Sequence, residues 1–205
     1  MQSQTPPARR GPKPNPDTRK NLIRVGMRMF HEAGYAATGL KDVVSGAKVP
    51  KGSFYNHFES KETFGKEVID FYFDSGLVLI REILTDSNSP PLARLKHYFD
   101  DRIDAFKTNG FVRGCLMGNL SLEIADHSEA IRDTIATHFE TWSGLIADCI
   151  AEAQKSGAIS NSLAAPLLAQ FILNSWEGAL LRMRTEKTDR PLTEFREVVF
   201  GSLLT

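Results

Sequence analysis

Apolar residues recur at spacings of three and four along nearly the whole chain, with polar residues filling the intervals. Leu22, Val25, Met29 and Ala33 share one helical face, and Gly34 follows where that helix should stop. Asp17 or Thr18 is placed to cap its start. Leu40, Val43, Val44 and Ala47 predict a short second helix over about 40–47, with Thr38 as its N-cap candidate. Lys48-Val49-Pro50 reads as a tight turn, and Pro50 suits a helix start because its missing N–H costs nothing there. A third helix, about 51–58, turns Phe54 and Phe58 inward at i and i+4. Glu59-Ser60 ends it, and Ser60 caps a helix that opens Lys61-Glu62-Thr63-Phe64.

The helical pattern continues over about 61–86, 90–108, 113–126, 128–156, 162–186 and 192–204. Breaks fall at Ser87-Asn88-Ser89-Pro90, Asn109-Gly110, Ser156-Gly157 and near Pro191. No stretch alternates with a period of two, so the expected fold class is all-α. Its parts are an N-terminal three-helix helix-turn-helix domain over 17–66 and a larger helical domain over 67–205. Residues 1–16 hold five prolines and almost nothing apolar, which predicts a flexible basic arm.

Composition excludes several classes. No apolar run reaches the roughly 18–20 residues that span a bilayer, and no apolar core follows the N-terminal charges as a secretory signal would need. The expected protein is cytoplasmic, with no membrane partner. Two cysteines, Cys115 and Cys149, are too few for a disulfide scaffold or a tetrahedral zinc cage. No His, Cys or carboxylate cluster has metal-ligand spacing, and His127 and His138 stand alone, so no metal or cofactor is expected. The formal net charge is zero, which at first argues against nucleic acid as a partner. Its distribution reverses that. Residues 1–66 carry 12 Lys/Arg against 5 Asp/Glu, a net of +7, and residues 67–205 carry 13 against 20, a net of −7.

The basic end also holds the legible motif. With Phe54 and Phe58 anchoring one side, Lys51, Gly52, Ser53, Tyr55, Asn56 and His57 occupy the start and outer face of the third helix. Small polar and cationic groups on a helix held out from the body suit the major groove and its phosphates. A plain three-helix bundle with a polar face has the same spacing; the concentrated positive charge favours DNA.

Three strings then carry a resemblance: Gly34-Tyr35-Ala36-Ala37-Thr38-Gly39-Leu40, Val49-Pro50-Lys51-Gly52-Ser53-Phe54-Tyr55-Asn56-His57-Phe58, and Ser60-Lys61-Glu62. Together they closely resemble the DNA-binding domain of the TetR family of bacterial repressors, over residues 17–66. Gly39, Val44 and Ser45 depart from the commonest pattern, at positions of helix packing. The resemblance implies a homodimer on a palindromic double-stranded operator, with a helical ligand domain behind. Carried over by position, Thr38, Tyr55, His57 and Lys61 are expected to hold phosphates. Lys51, Ser53 and Asn56 are expected to approach bases, and Gly52 to let the backbone come close. Arg9, Arg10 and Lys13 could enter a minor groove or simply solubilise the arm.

In the back half, one stripe runs Ile131, Ile135, Phe139, Trp142, Ile146 and Ile150, and another Leu168, Phe171, Ile172, Ser175, Ala179 and Arg182. The family pairs these two helices across a dimer axis; periodicity alone reads equally as an internal core. Candidate lining for a small-molecule effector pocket is Phe71, Phe99, Phe106, Met117, Trp142 and Trp176, each with core packing as the alternative. Arg113-Gly114-Cys115-Leu116 opens a helix, which puts Cys115 near a helix N-terminus and behind a cation, both of which stabilise a thiolate. Gly-Cys-Leu followed by Leu-Ser-x-Glu also looks like the electrophile-responsive, NemR-like branch of the family. The alternatives for Cys115 are a small core hydrophobe beside a non-covalent ligand, or a nucleophile, although no His or carboxylate is placed by sequence to activate it. A regulator answering to a protein partner is the further alternative, and Cys149 reads as core or interface. The expected activity is that of a ligand-released transcriptional repressor and not an enzyme.

Overall fold

The computed structural model describes residues 16–205, and the structural statements below concern those residues; Arg9, Arg10 and Lys13 lie outside them. The helices are α1 (Pro16–Ala33), α2 (Leu40–Gly46), α3 (Lys51–Tyr55), α4 (Lys61–Leu84), α5 (Pro91–Thr108), α6 (Leu116–Ile124), α7 (Glu129–Lys155), α8 (Ala165–Glu186) and α9 (Arg190–Val198). A π-helical turn, Val199–Leu203, closes the chain, and the described residues hold no strand.

Four phenylalanines build the core of the head. Phe64 of α4 meets Phe58 at 4.9 Å, Phe54 at 5.3 Å and Phe30 at 5.9 Å between ring centroids, all in edge-on geometry. All four rings are buried. A Cβ on Gly26 would overlap the Phe64 ring, so α1 and α4 approach through a glycine. Gly34 ends α1 as its sequence predicts, at φ +87°, with its N–H returned to Phe30 O at 3.0 Å. Ser60 caps α4 by accepting from Thr63 N at 3.0 Å.

Several expectations shift. Thr38 does not cap α2: Gly39 is the N-cap, no side chain caps it, and the buried Thr38 hydroxyl donates to Gly34 O at 2.7 Å. The third helix stops at Tyr55, because the N–H groups of His57 and Phe58 both return to Phe54 O and close a turn. The break expected near Pro191 is present between Glu186 and Arg190, and Pro191 itself sits in the first turn of α9, where its missing N–H is harmless. α9 then widens into the π turn, where Leu204 N reaches back to Val199 O at 2.8 Å. The expected boundary between residues 66 and 67 falls inside α4, an unbroken helix. Phe64, Gly65 and Val68 serve the head core, whereas Phe73, Ile80, Ile83 and Leu84 serve the body.

In the body, α7 packs against α4, α5 and α8, and α8 against α9. Phe99, Trp176 and Phe195 meet pairwise at 5.0–5.2 Å. Arg94 is buried, donating to Leu84 O at 2.7 Å and pairing with Glu152. Such an ion pair tethers the α4–α5 turn to α7 without much net stabilisation.

Candidate nucleic-acid interface and effector cavity

The outer side of α3 and the turn after it carry the predicted polar set. Lys51, Gly52, Tyr55 and Asn56 are exposed, and Ser53 and His57 are half-buried. Tyr55 leans its ring edge-on against Phe54 while remaining 58% exposed, so a buried anchor holds an accessible phenol. A Cβ on Gly52 would meet nothing within 4 Å, so no part of this chain demands glycine there. Lys61 is already engaged: its ammonium lies 4.5 Å from the Tyr35 ring centroid and donates to Ala36 O at 3.4 Å. Desolvation lowers its pKa, and Glu123 works in the opposite direction.

Glu123, at the end of α6, is the residue that periodicity did not single out. Its carboxylate accepts from Tyr35 N at 2.9 Å and Ala36 N at 2.6 Å, in the loop that leads into α2. Gly34 makes room for it, since a Cβ there would lie 2.7 Å from Glu123 Oε2. Ser128, the N-cap of α7, donates to Glu62 at 2.5 Å, and Arg113 pairs with Glu32 of α1 at 3.0 Å. Three polar ties thus fasten the head to the region around α6.

The other end of α6 opens on two voids. One, of about 810 Å³, lies between α6, α7 and α8 and is walled by Phe139, Asn174, Glu177 and Arg184 among others. The second, of about 690 Å³, lies between α1, α4, α5 and α7, with His31, Tyr72, Met117, Trp142 and Trp176 in its wall. Cys115 lines both. Met117, Phe106, Trp142 and Trp176 line the second void. Phe99 does not: it is fully buried between Tyr98, Trp176 and Phe195, and Phe71 lines neither void. Phe71 points where α4 packs against its neighbours, a choice that helical spacing cannot make.

Residues 22–68 match the family described as "Bacterial regulatory proteins, tetR family", and residues 91–199 match "Tetracyclin repressor-like, C-terminal domain". The chain is 41% identical to the HTH-type transcriptional repressor DhaR of Mycobacterium sp. (strain GP1), over 91% of its own length and 92% of that protein's. The chain belongs to the TetR family. It is also 35% identical to the transcriptional regulator AcuR of Cereibacter sphaeroides, covering 93% of this chain and 91% of that one. Among solved structures, it superposes on the regulatory protein TetR from Rhodobacter sphaeroides with a TM-score of 0.84 at 34% identity, over 92% of this chain and 99% of that one. The reduced form of Escherichia coli NemR also gives 0.84, at 27% identity over 89% and 95%. TetR-family proteins are transcriptional regulators that bind operator DNA and act as dimers, and these relatives are regulators, not enzymes. No helix of the described residues is long and apolar enough to cross a membrane.

One expectation about this TetR-family chain is corrected by its surroundings. Cys115 is the N-cap of α6 and its sulfur accepts from Gly118 N at 3.5 Å, yet a thiolate is not stabilised there. Burial, and then the nearby Glu177 carboxylate, pushes the thiol well above its ordinary range. Arg113 pairs with Glu32, and Arg184 donates to Asn119 Oδ1 at 3.0 Å. The loop before it is held in unusual backbone: Gly110, Phe111, Arg113 and Gly114 all have positive φ, and two of them are not glycine. Around the thiol stand three residues that were missed. Burial raises Glu177 to about 7, burial and Arg113 lower His31 to about 4, and burial raises the Tyr72 phenol. Glu177 had a visible signal, as a lone carboxylate within the apolar stretch of α8. His31 had none, since it belongs by sequence to the head. His138, read as solitary, pairs with Asp70 at 2.7 Å and stacks on Phe73. Cys149 is core, donating to Pro91 O at 3.2 Å, with its thiol raised to about 11 by burial.

Proposed function

We propose that this chain is a homodimeric repressor that holds a palindromic operator through α3 and leaves it when the cavities at Cys115 are occupied or the thiol is modified. The observation that carries this reading is α6 itself. Its N-cap is the cysteine shared by both voids, and its last turn carries the carboxylate that grips the loop before α2. An effector that displaces the start of α6 therefore moves the grip on the reading head. The two heads of a dimer then favour a spacing that no longer matches successive major grooves, a population shift driven by differential affinity.

In this reading Lys51, Ser53 and Asn56 approach base edges, Gly52 admits the backbone, and Tyr55 and His57 hold phosphates. Lys61 and Thr38 reach phosphates only by giving up Ala36 O and Gly34 O, so both act at a cost that the other contacts do not have. The dimer face is the exposed apolar strip of Leu167, Phe171 and Leu181 on α8 with Val198 on α9. A mobility-shift titration on the DNA upstream of its own gene tests the function. Expected is sequence-specific binding that weakens steeply with salt, with Tyr55→Phe lowering affinity evenly across sequences and Lys51→Ala relaxing the sequence preference. Binding without sequence preference, or none, refutes it. A second reading, release by a non-covalent apolar ligand, is favoured by the size of the two voids. It predicts that Cys115→Ser still leaves the operator on effector addition.

A further inference from the structure

We propose that Glu177 is the base that activates Cys115 toward a compact α,β-unsaturated carbonyl compound. It takes the thiol proton as the new Sγ–C bond forms and returns that proton to the carbon beside the carbonyl. This rests on the sensing reading above and adds the residue and the ligand class.

The geometry has three parts. First, Cys115 lies where the two voids meet, so a molecule in either one encounters the sulfur. Second, burial and the neighbouring Glu177 carboxylate hold the thiol protonated. The proton must therefore leave during attack, and the Glu177 carboxyl lies beside Cys115 in the wall of the same void, the two meeting across Gly118. Its other oxygen, Oε1, is buried with no hydrogen-bond partner. The carboxylate reaches this position over Gly118, where any Cβ would overlap it. A base whose pKa burial has brought to about 7 can both accept and return a proton near neutrality. Third, Trp142 is 93% buried in the wall that Cys115 shares, and its Nε1–H has no acceptor. An unsatisfied donor of this kind suits a carbonyl oxygen that gains negative charge during addition.

The same features choose between electrophiles. In addition to a conjugated alkene, the C=C π bond breaks, the S–C bond forms, and the thiol proton ends on the α-carbon through Glu177. Nothing leaves. Displacement at an alkyl halide would instead expel an anion beside the Glu140 carboxylate.

The test uses the full chain in a Cys149→Ala background, with N-ethylmaleimide as the conjugated probe and iodoacetamide as the displacement probe, followed by intact mass from pH 5.5 to 9. Expected is a maleimide rate that rises through about pH 7 and then levels, and a rate at pH 7 roughly 10²-fold lower in Glu177→Gln. The Glu177→Gln profile should rise only where the thiol itself ionises. Equal rates in the two proteins, or a wild-type profile that rises only in that high range, overturns the assignment. The wild-type profile decides the matter alone if the variant does not fold. Iodoacetamide that modifies wild-type Cys115 as fast as N-ethylmaleimide does, each taken relative to its rate with a free thiol, overturns the ligand class. Alkylation through Glu177 that leaves the operator bound would refute the sensing reading while the base assignment stands.

Discussion

Replacing Glu177 with Gln should expose a pH dependence of stability that the native chain conceals. Glu177 has its pKa raised from 4.5 to about 7. Its contribution is fully present below the unfolded value and is lost as pH rises through about 7, when a charged carboxylate must be held in the cavity wall. His31 is lowered from 6.5 to about 4. Its contribution is present above the unfolded value and is lost as pH falls through about 4, when the ring must charge beside Arg113 and Arg184. Each shift corresponds to about 3 kcal/mol across its full range. Between about pH 4.5 and 6.5 the two slopes have opposite sign and nearly cancel. Urea denaturation at half-unit pH intervals reads them out as differences from wild type. In Glu177→Gln the remaining His31 slope should cost stability on acidification, by about 2–3 kcal/mol from pH 6.5 to 4.5. In His31→Asn the remaining Glu177 slope should cost a similar amount as pH rises from 5 to 7. Parallel curves for all three proteins would show that neither group is held as its burial implies.

Other consequences follow from the same packing. Phe58→Ala removes one of the four buried rings of the head core and should destabilise by about 3–5 kcal/mol; loss of operator binding with the body's helical circular dichroism retained is the expected pattern, and a cost below 1 kcal/mol contradicts it. Glu123→Gln removes the charge from two short hydrogen bonds, worth about 1–2 kcal/mol, so the Tyr35 and Ala36 amides should exchange roughly tenfold faster; unchanged protection would mean the loop is held by something else. Phe171→Glu places a charge on the exposed strip of α8 and should halve the mass found by sedimentation equilibrium. A dimer that survives moves the interface elsewhere.

The sequence by itself determined the helices and the reading head. Caps, turns and 3.6-residue periodicity act within a few residues, so Gly34, Pro50, Ser60 and the inward pair Phe54 and Phe58 could be read directly. The polar side of residues 51–57 was equally legible, because it lies within one short segment whose inner face is aromatic. The charge asymmetry belongs here too, since it is a sum along the chain. Only the tertiary structure decided the chemistry of Cys115. Local sequence placed it at a helix N-terminus and so predicted an ionised thiol. Folding then buried it, turned Arg113 and Arg184 onto other partners, and brought Glu177 from α8 and His31 from α1 to its side. Likewise Glu123 and Tyr35, 88 residues apart, meet only because α6 packs back on α1 and α4. A pKa depends on solvent exclusion and on neighbouring charge, and both are properties of packing that no local pattern contains.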